Sequence, residues 1–246
     1  MLRFIKLPIL NNIPTISLGF GLRYKNTIPD ISLKTLAINQ LAQNLNQNSI
    51  SITFLKQVHG DKIVYLKTNN HKDVHLAEAD ALLTDSLNKC LVIVTADCLP
   101  VILFDKKLHI ISIIHAGWRG TSLGITSKAI LKMVTEFGSK PDDILVGIGP
   151  CIDQCCYEVD EPVISIFEKQ FANKKNFFIK IANNDSHYRL SLKKVNKYQA
   201  VSLSVPEKNI ITSPLCTYCN PHLFFSYRRD GQKAGRMVNF IILKQP

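Results

Sequence analysis

No stretch of this chain is apolar and long enough to cross a bilayer as a helix. The longest apolar run, residues 90–104, carries Asp97 and Pro100 and falls short of the roughly 20 residues a spanning helix needs. The N-terminus also lacks the hydrophobic core of a secretory signal, because Lys6 and Pro8 interrupt it early. Basic residues form no continuous block, and no nucleic-acid-binding motif accompanies them. Internal repeats and low-complexity linkers are missing as well. These absences argue against a membrane, exported or nucleic-acid-binding protein. They favour one domain over 1–246 in a reduced cytoplasm, where seven cysteines, an odd number, are thiols or ligands rather than disulfides.

What is present suits a packed core: 46% of residues are hydrophobic and 20% charged. The net charge of +11 is scattered along the chain and reflects a Lys-, Asn- and Ile-rich composition. Such an excess favours phosphate-bearing or anionic small molecules as partners, and by itself selects none.

The periodicity predicts a helix over 33–46 and β-type runs over 51–57, 62–67 and 80–84. Nearly continuous apolar runs over 90–95, 100–104 and 109–115 read as buried central strands. Thr121 or Ser122 is placed to cap a helix that ends at Phe137 before Gly138. A buried strand follows over 144–150. Asp160 and Ser191 are candidate caps for two further helices, the first reaching Phe171, and the tail predicts strands near 208–212, 223–228 and 236–243. Strands outnumber helices and often follow one another directly, which argues against a doubly wound parallel sheet. The expected fold is α/β (α+β), with layered mixed β-sheets flanked by helices.

Three short segments carry the chemistry: Gln57-Val58-His59-Gly60, Thr95-Ala96-Asp97-Cys98-Leu99-Pro100 and His115-Ala116-Gly117-Trp118-Arg119-Gly120. In each, an apolar run gives way to a turn and presents one soft or borderline metal ligand. Two imidazoles and one thiolate suit zinc with a coordination position left open for water or substrate. The same atoms also read as a Cys–His nucleophilic pair, or as a buried thiol and two satisfied histidines. Asp97 reads as a structural carboxylate, and Asp80 as either a buttress for a ligand or a turn residue.

Arg119 opens a helix and is a candidate anion holder, or else part of an ordinary capped helix. Arg228 and Arg229 are candidates for gripping phosphate with forked guanidinium donors, against a surface ion pair with Asp230. Cys216-Thr217-Tyr218-Cys219 is a Cys-x-x-Cys without a second pair at ribbon spacing. Cys155-Cys156 does not supply one in sequence, so these cysteines read first as reduced thiols, with a structural zinc or a redox dithiol as the alternatives. Cys151 reads as a turn or packing residue.

Together with Ala79-Asp80-Ala81-Leu82-Leu83-Thr84, Ile148-Gly149-Pro150-Cys151-Ile152, Tyr157-Glu158-Val159 and Phe224-Phe225-Ser226-Tyr227-Arg228-Arg229-Asp230-Gly231, these segments resemble the YfiH-like, or laccase-domain, family over about residues 50–240. Members of that family are described as polyphenol oxidases and as multifunctional purine nucleoside phosphorylases. The resemblance implies a compact α/β fold shared distantly with a Cys–His toxin deamidase, and a catalytic zinc on His59, Cys98 and His115. It implies phosphorolysis of adenosine, inosine, guanosine and 5′-methylthioadenosine, with adenosine deamination. A copper-dependent phenol oxidase and a hydrolase editing peptidoglycan precursors are the alternatives attached to the family. One copper would suit a Cys and two His, but the chain lacks the His-x-His pairs of a multi-copper oxidase. Where family members carry an Arg before a Gly-Gly-Val-Ser turn, this chain has Leu22-Arg23-Tyr24-Lys25-Asn26-Thr27, and Arg23 is the candidate to keep that arginine's role. The oligomeric state, monomer or dimer, is left open.

Overall fold

The structure is a computed structural model that describes residues 2–24, 41, 50–67, 77–171, 175–182 and 184–244. The chain begins with β1 (Phe4–Ile5), α1 (Pro8–Asn11), β2 (Ile16–Gly21), β3 (Ser51–Phe54), β4 (Ile63–Leu66) and β5 (Ala81–Thr84). Three central strands follow, β6 (Lys89–Thr95), β7 (Leu99–Asp105) and β8 (Ile110–Ala116), then α2 (Trp118–Ser122) and α3 (Ile125–Phe137). Next come β9 (Ile144–Ile148), β10 (Glu158–Asp160), α4 (Glu161–Gln170), β11 (Phe178–Ile181), β12 (Asn184–Leu190) and α5 (Leu192–Val201). The chain closes with β13 (Ile210–Thr212), α6 (Tyr227–Asp230) and β14 (Met237–Leu243).

Two large mixed sheets make the body. One runs β1-β2-β14-β6-β3 and the other β13-β9-β7-β8-β5-β4, while β10-β12-β11 form a small third sheet. Strand alternation sorts the side chains between layers, because successive residues point to opposite faces. Ile102, Phe104, Ile111 and Ile113 pack with Leu91, Ile93, Ile241 and Leu243 in the seam between the large sheets. Their alternate neighbours Val101, Leu103, Ile110 and Ile114 face the other way, against Ile125, Ala129, Met133, Ile164, Phe167 and Val195 of the helices. Both faces of β7 and β8 are therefore covered, which explains why they read as continuous apolar runs. Layered mixed sheets with flanking helices are the architecture the sequence predicted.

Several local expectations change. The helix predicted to start at Thr121 or Ser122 is broken in two: Gly124 adopts a left-handed φ of 79° between α2 and α3. The Thr121 hydroxyl instead accepts a hydrogen bond from Asn196, and Ser122 donates to the Arg119 carbonyl. The strand expected over 223–228 is absent; its C-terminal part is α6, capped by Ser226, whose hydroxyl accepts from the Arg229 N–H. Ser191 caps α5 as predicted, whereas the Asp160 side chain makes no cap hydrogen bond. The helix expected over 33–46 lies outside the described residues except for Leu41, which is fully buried. Among the described residues no helix is long and apolar enough to cross a membrane.

The antiparallel neighbours β2 and β14 approach closely where β2 ends. A Cβ at Gly21 would sit 2.4 Å from the Val238 carbonyl oxygen and 2.7 Å from its nitrogen, and backbone cannot swing aside as a side chain can. Gly21→Ala is expected to cost about 1–3 kcal/mol, read as a lower urea midpoint with an unchanged slope.

Candidate functional site

The β5–β8 pairing sets Ala81 opposite Ile114, and the His115 N–H donates to the Asp80 carbonyl at 2.7 Å, extending the ladder by one residue. Asp80 and His115 thus share the face of Leu82 and Ile113, at the end of the seam between the sheets. Pro100 lies opposite His115 in the β7–β8 ladder, so Cys98 emerges just beyond the same ladder end. His59 arrives from the loop after β3. The ligand atoms of His59, Cys98 and His115 all lie within 4.8 Å of one another, and the two imidazoles meet edge to face at 4.8 Å.

Asp80 organises this cluster. It is fully buried, and its carboxylate accepts backbone N–H groups from Val58 at 3.3 Å, His59 at 3.0 Å and Gly60 at 2.7 Å. It also pairs with His115 Nδ1 at 2.7 Å, which leaves the other ring nitrogen for the cluster. Burial works against the Asp80 anion, but the His115 and backbone hydrogen bonds hold its pKa below the ordinary carboxylate value. The N–H contacts also pin His59, whose φ of 60° is unusual for a residue with a Cβ.

Burial similarly opposes charge on Cys98 and His115, and their mutual attraction overcomes it. The Cys98 pKa falls to about 6, drawn down by His115 and His59. That of His115 rises to about 9 through Cys98 and Asp80. Without a metal the pair is therefore thiolate and imidazolium near neutrality. Gly117 leaves room for the cluster: a Cβ there would lie 3.1 Å from His59 Cδ2 and 3.2 Å from Cys98 Sγ.

The donor set passes a simple fit test for a metal. Tetrahedral zinc with bonds of about 2.0–2.3 Å holds its ligand atoms about 3.3–3.8 Å apart, so donors within 4.8 Å need only a small closure. An imidazole whose second nitrogen is tied to a carboxylate is the usual outer support of a metal-bound histidine. One thiolate and two imidazoles suit zinc or a single copper.

The trio opens into a cavity of about 550 Å³, within the size range of small-molecule sites, lined also by Gln57, Tyr157, Tyr227, Arg228 and Arg236. A neighbouring cavity of about 570 Å³ shares Tyr157 and Arg228. Arg228 is exposed, donates to the Glu158 carbonyl at 2.8 Å and lies 5.4 Å from the Tyr157 ring centre. The other predicted arginines are placed differently. The Arg229 guanidinium is committed to Asp230 and to the carbonyls of Thr217, Tyr218 and Phe224. Arg119 stacks on Trp118 at 4.5 Å. Arg23 bonds the Pro221 carbonyl and stacks over Phe225. None of these three lines either cavity.

Sequence reasoning passed over Arg236, which lies 5.9 Å from the Tyr227 ring centre, and the clamp made by Gln57, whose amide donates to and accepts from the Val94 backbone at 2.8 and 2.9 Å. Gln57 could have been found, since it stands inside the His59 segment; Arg236, outside every conspicuous run, carried no such signal. Asp97 proves to be a structural carboxylate. It takes Thr217 Oγ1 at 2.6 Å, Ser226 Oγ at 2.9 Å and the Arg228 N–H at 2.7 Å.

Comparison with known proteins gives the family and the fold. The profile of a family described as multi-copper polyphenol oxidoreductase laccase matches residues 34–244. A Clostridium acetobutylicum protein named purine nucleoside phosphorylase is 39% identical over 218 residues, 87% of each chain. A protein of an unknown prokaryotic organism named adenosine deaminase is 30% identical over 232 residues, 91% of this chain and 87% of that one. The crystal structure of Bacillus licheniformis YfiH superimposes with a TM-score of 0.86 at 32% identity, covering 99% of both chains.

Two outcomes follow. Alkylation of Cys98 in chelator-treated protein should reach half its maximal rate near pH 6, well below an ordinary thiol, whereas Cys90, whose thiol burial pushes up strongly, should stay inert. Asp80→Ala should cost about 3–5 kcal/mol at neutral pH, because it strands buried partners. A lowered carboxylate pKa contributes stability that is complete above the unfolded value and is lost as pH falls through the folded one. The share of the gap between wild type and variant that the Asp80 carboxylate carries should therefore be lost below about pH 4, and the share carried by the His115 proton should fade as pH rises toward about 9, as denaturation at several pH values would record.

Proposed function

This chain belongs to the laccase-like family described as multi-copper polyphenol oxidoreductases, and from that membership we propose that it is a purine nucleoside phosphorylase using zinc on His59, Cys98 and His115. The observation that carries the reading is the juxtaposition of this donor trio with an exposed guanidinium, Arg228, in one cleft. The relative named purine nucleoside phosphorylase supports it. The substrates are adenosine, inosine, guanosine and 5′-methylthioadenosine, together with phosphate.

Phosphorolysis requires a phosphate oxygen to bond ribose C1′ while the C1′–N9 bond breaks and its electron pair leaves with the purine. Arg228 offers forked donors that hold the dianion and offset its charge. Tyr157 and Tyr227 line the same cleft with the Arg228 and Arg236 guanidinium groups over their rings, which puts aromatic surface and cation side by side for a planar base and an anion. Asp80 keeps the His115 proton on Nδ1 and so fixes which nitrogen the cleft meets. Bound zinc supplies Lewis acidity to the substrate and to water. Arg119, Arg229 and Arg23 act on the substrate at most indirectly in this reading, since none of them lines either cavity and the Arg229 donors are taken by Asp230 and three carbonyls.

Adenosine deamination to inosine and ammonia is a second activity of the same cleft, favoured by the relative named adenosine deaminase. The oxidase reading ranks lower: the seven histidines include no His-x-His pair from which a multi-copper centre could draw.

Zinc-loaded protein given inosine and phosphate should release hypoxanthine and ribose-1-phosphate. Arg228→Ala should raise the phosphate KM by about tenfold, the equivalent of about 1.4 kcal/mol of lost binding. Absence of both products with zinc bound would sink the proposal. Phenol-dependent oxygen uptake confined to copper-loaded protein would replace it with the oxidase.

A further inference from the structure

Four cysteines play no part in that reading, yet the fold gathers them. Cys155 and Cys156 lie in the turn between β9 and β10, and Cys216 and Cys219 in the segment before α6. Their sulfurs all lie within 4.8 Å of one another. Cys219 Sγ is 3.5 Å from Cys155 Sγ and 3.2 Å from Cys156 Sγ. The second cysteine pair missing at ribbon spacing in the sequence is thus supplied by a loop some sixty residues away.

We propose that Cys155, Cys156, Cys216 and Cys219 form a second metal site, a closed tetrathiolate centre for a structural divalent cation of the zinc class, distinct from the His59–Cys98–His115 cluster.

The spacing supports this assignment. Around a tetrahedral ion with metal–sulfur bonds of about 2.3 Å, sulfurs stand about 3.8 Å apart; two of the separations, 3.2 and 3.5 Å, come close to that value and every pair lies within 4.8 Å. A disulfide would use two of the four and would need a sulfur pair to close to about 2.05 Å. Four thiols drawn together in one place suit an ion that takes all of them, and a set with no open position is the hallmark of structural zinc.

The surroundings of Cys216 suit a thiolate as well. The Asp153 N–H donates to Cys216 Sγ at 3.4 Å. Burial alone would push the Cys216 thiol up, but backbone N–H groups of Cys219 and Asp153 reverse the shift. Burial and the neighbouring sulfurs hold the Cys155 and Cys156 thiols above the ordinary value, so a bound cation is what would draw those protons off. A four-thiolate centre carries two net negative charges, and the flanking backbone is gripped by cations. Arg189 donates to the Cys155 carbonyl, Arg229 to those of Thr217 and Tyr218, and Lys193, itself paired with Asp153, to that of Leu215. Binding releases the remaining thiol protons to solvent, and no electron is transferred.

Such an ion would staple two walls of the substrate cleft. Cys156 is followed directly by Tyr157, which lines both cavities. Thr217, between the other two ligands, holds Asp97 beside Cys98. The site is therefore placed to fix the cleft without touching substrate.

Cobalt(II) titration of full-length Cys98→Ser protein under reducing, anaerobic conditions tests this site alone, because the variant lacks the thiolate of the other cluster. About one cobalt per chain should bind, with the intense sulfur-to-cobalt absorption of a tetrahedral thiolate centre, and zinc should displace it. Adding Cys155→Ser and Cys219→Ser, both at exposed positions, should abolish that absorption while circular dichroism stays unchanged. Zinc should also slow alkylation of Cys155 and Cys219 by about tenfold or more. Absence of the charge-transfer absorption, or alkylation indifferent to zinc, would each overturn the proposal. None of these results depends on whether the nucleoside reading holds.

Discussion

The Asp80 carboxylate is fully buried, and a lone charge in that setting would be too costly to keep. It survives because the backbone of Val58, His59 and Gly60 turns its N–H groups inward and His115 supplies a ring nitrogen. The same contacts work in the opposite direction. They hold a loop that places a histidine at positive φ, a conformation that costs about 1–3 kcal/mol unless its surroundings enforce it. They also decide which nitrogen of His115 faces Cys98. One anion thus couples a loop to a strand end, and the cluster exists only where both are satisfied.

Asp97 does a parallel job on the other wall. It stands next to Cys98 and binds Thr217, Ser226 and the Arg228 N–H, tying the C-terminal segment to the turn that presents the thiolate. The two carboxylates differ in kind: Asp80 contacts a member of the trio directly, whereas Asp97 fastens the frame around another. Both sit at ends of strands whose apolar faces fill the seam between the sheets. Rigid packing supplies the positions and buried carboxylates supply the orientation, a division that lets irregular loops carry precise geometry.

The parts of this arrangement that were legible in sequence are those governed by short-range periodicity. β6, β7 and β8 announced themselves because both faces of each are covered, and the trio could be placed at turns because apolar runs stop there. Parity along β7 and β8 even placed Cys98 and His115 together once the strands were paired. The small sheet of β10, β11 and β12 was missed, since a strand such as Asn184–Leu190 is polar and has little apolar alternation. The supposed strand over 223–228 failed for a tertiary reason: Ser226 caps a helical turn while its hydroxyl is bound to Asp97, far away in sequence. The Cys-x-x-Cys was dismissed because its partners had no fixed spacing, and only the fold could bring Cys155 and Cys156 to it.

Arginine shows most clearly where reading by residue type stops. Four guanidinium groups were candidates for an anion, Arg119, Arg228 and Arg229 by residue type and Arg23 by resemblance. Placement and bonding separate them by a test composition cannot apply, namely whether donors remain and face a cavity. Arg229 has given its donors to Asp230 and three carbonyls, so pulling it toward phosphate would break contacts that hold the Cys216–Cys219 turn. Arg119 and Arg23 lie against aromatic rings outside the cavities. Arg228 makes one backbone contact and lines both cavities, and Arg236, never conspicuous in sequence, shares the trio's cavity. The net charge of +11 therefore says little about recognition, because cations such as Arg189, Lys193 and Arg229 brace loops instead. What selects an anion in this cleft is the small subset of cations that the fold leaves facing it.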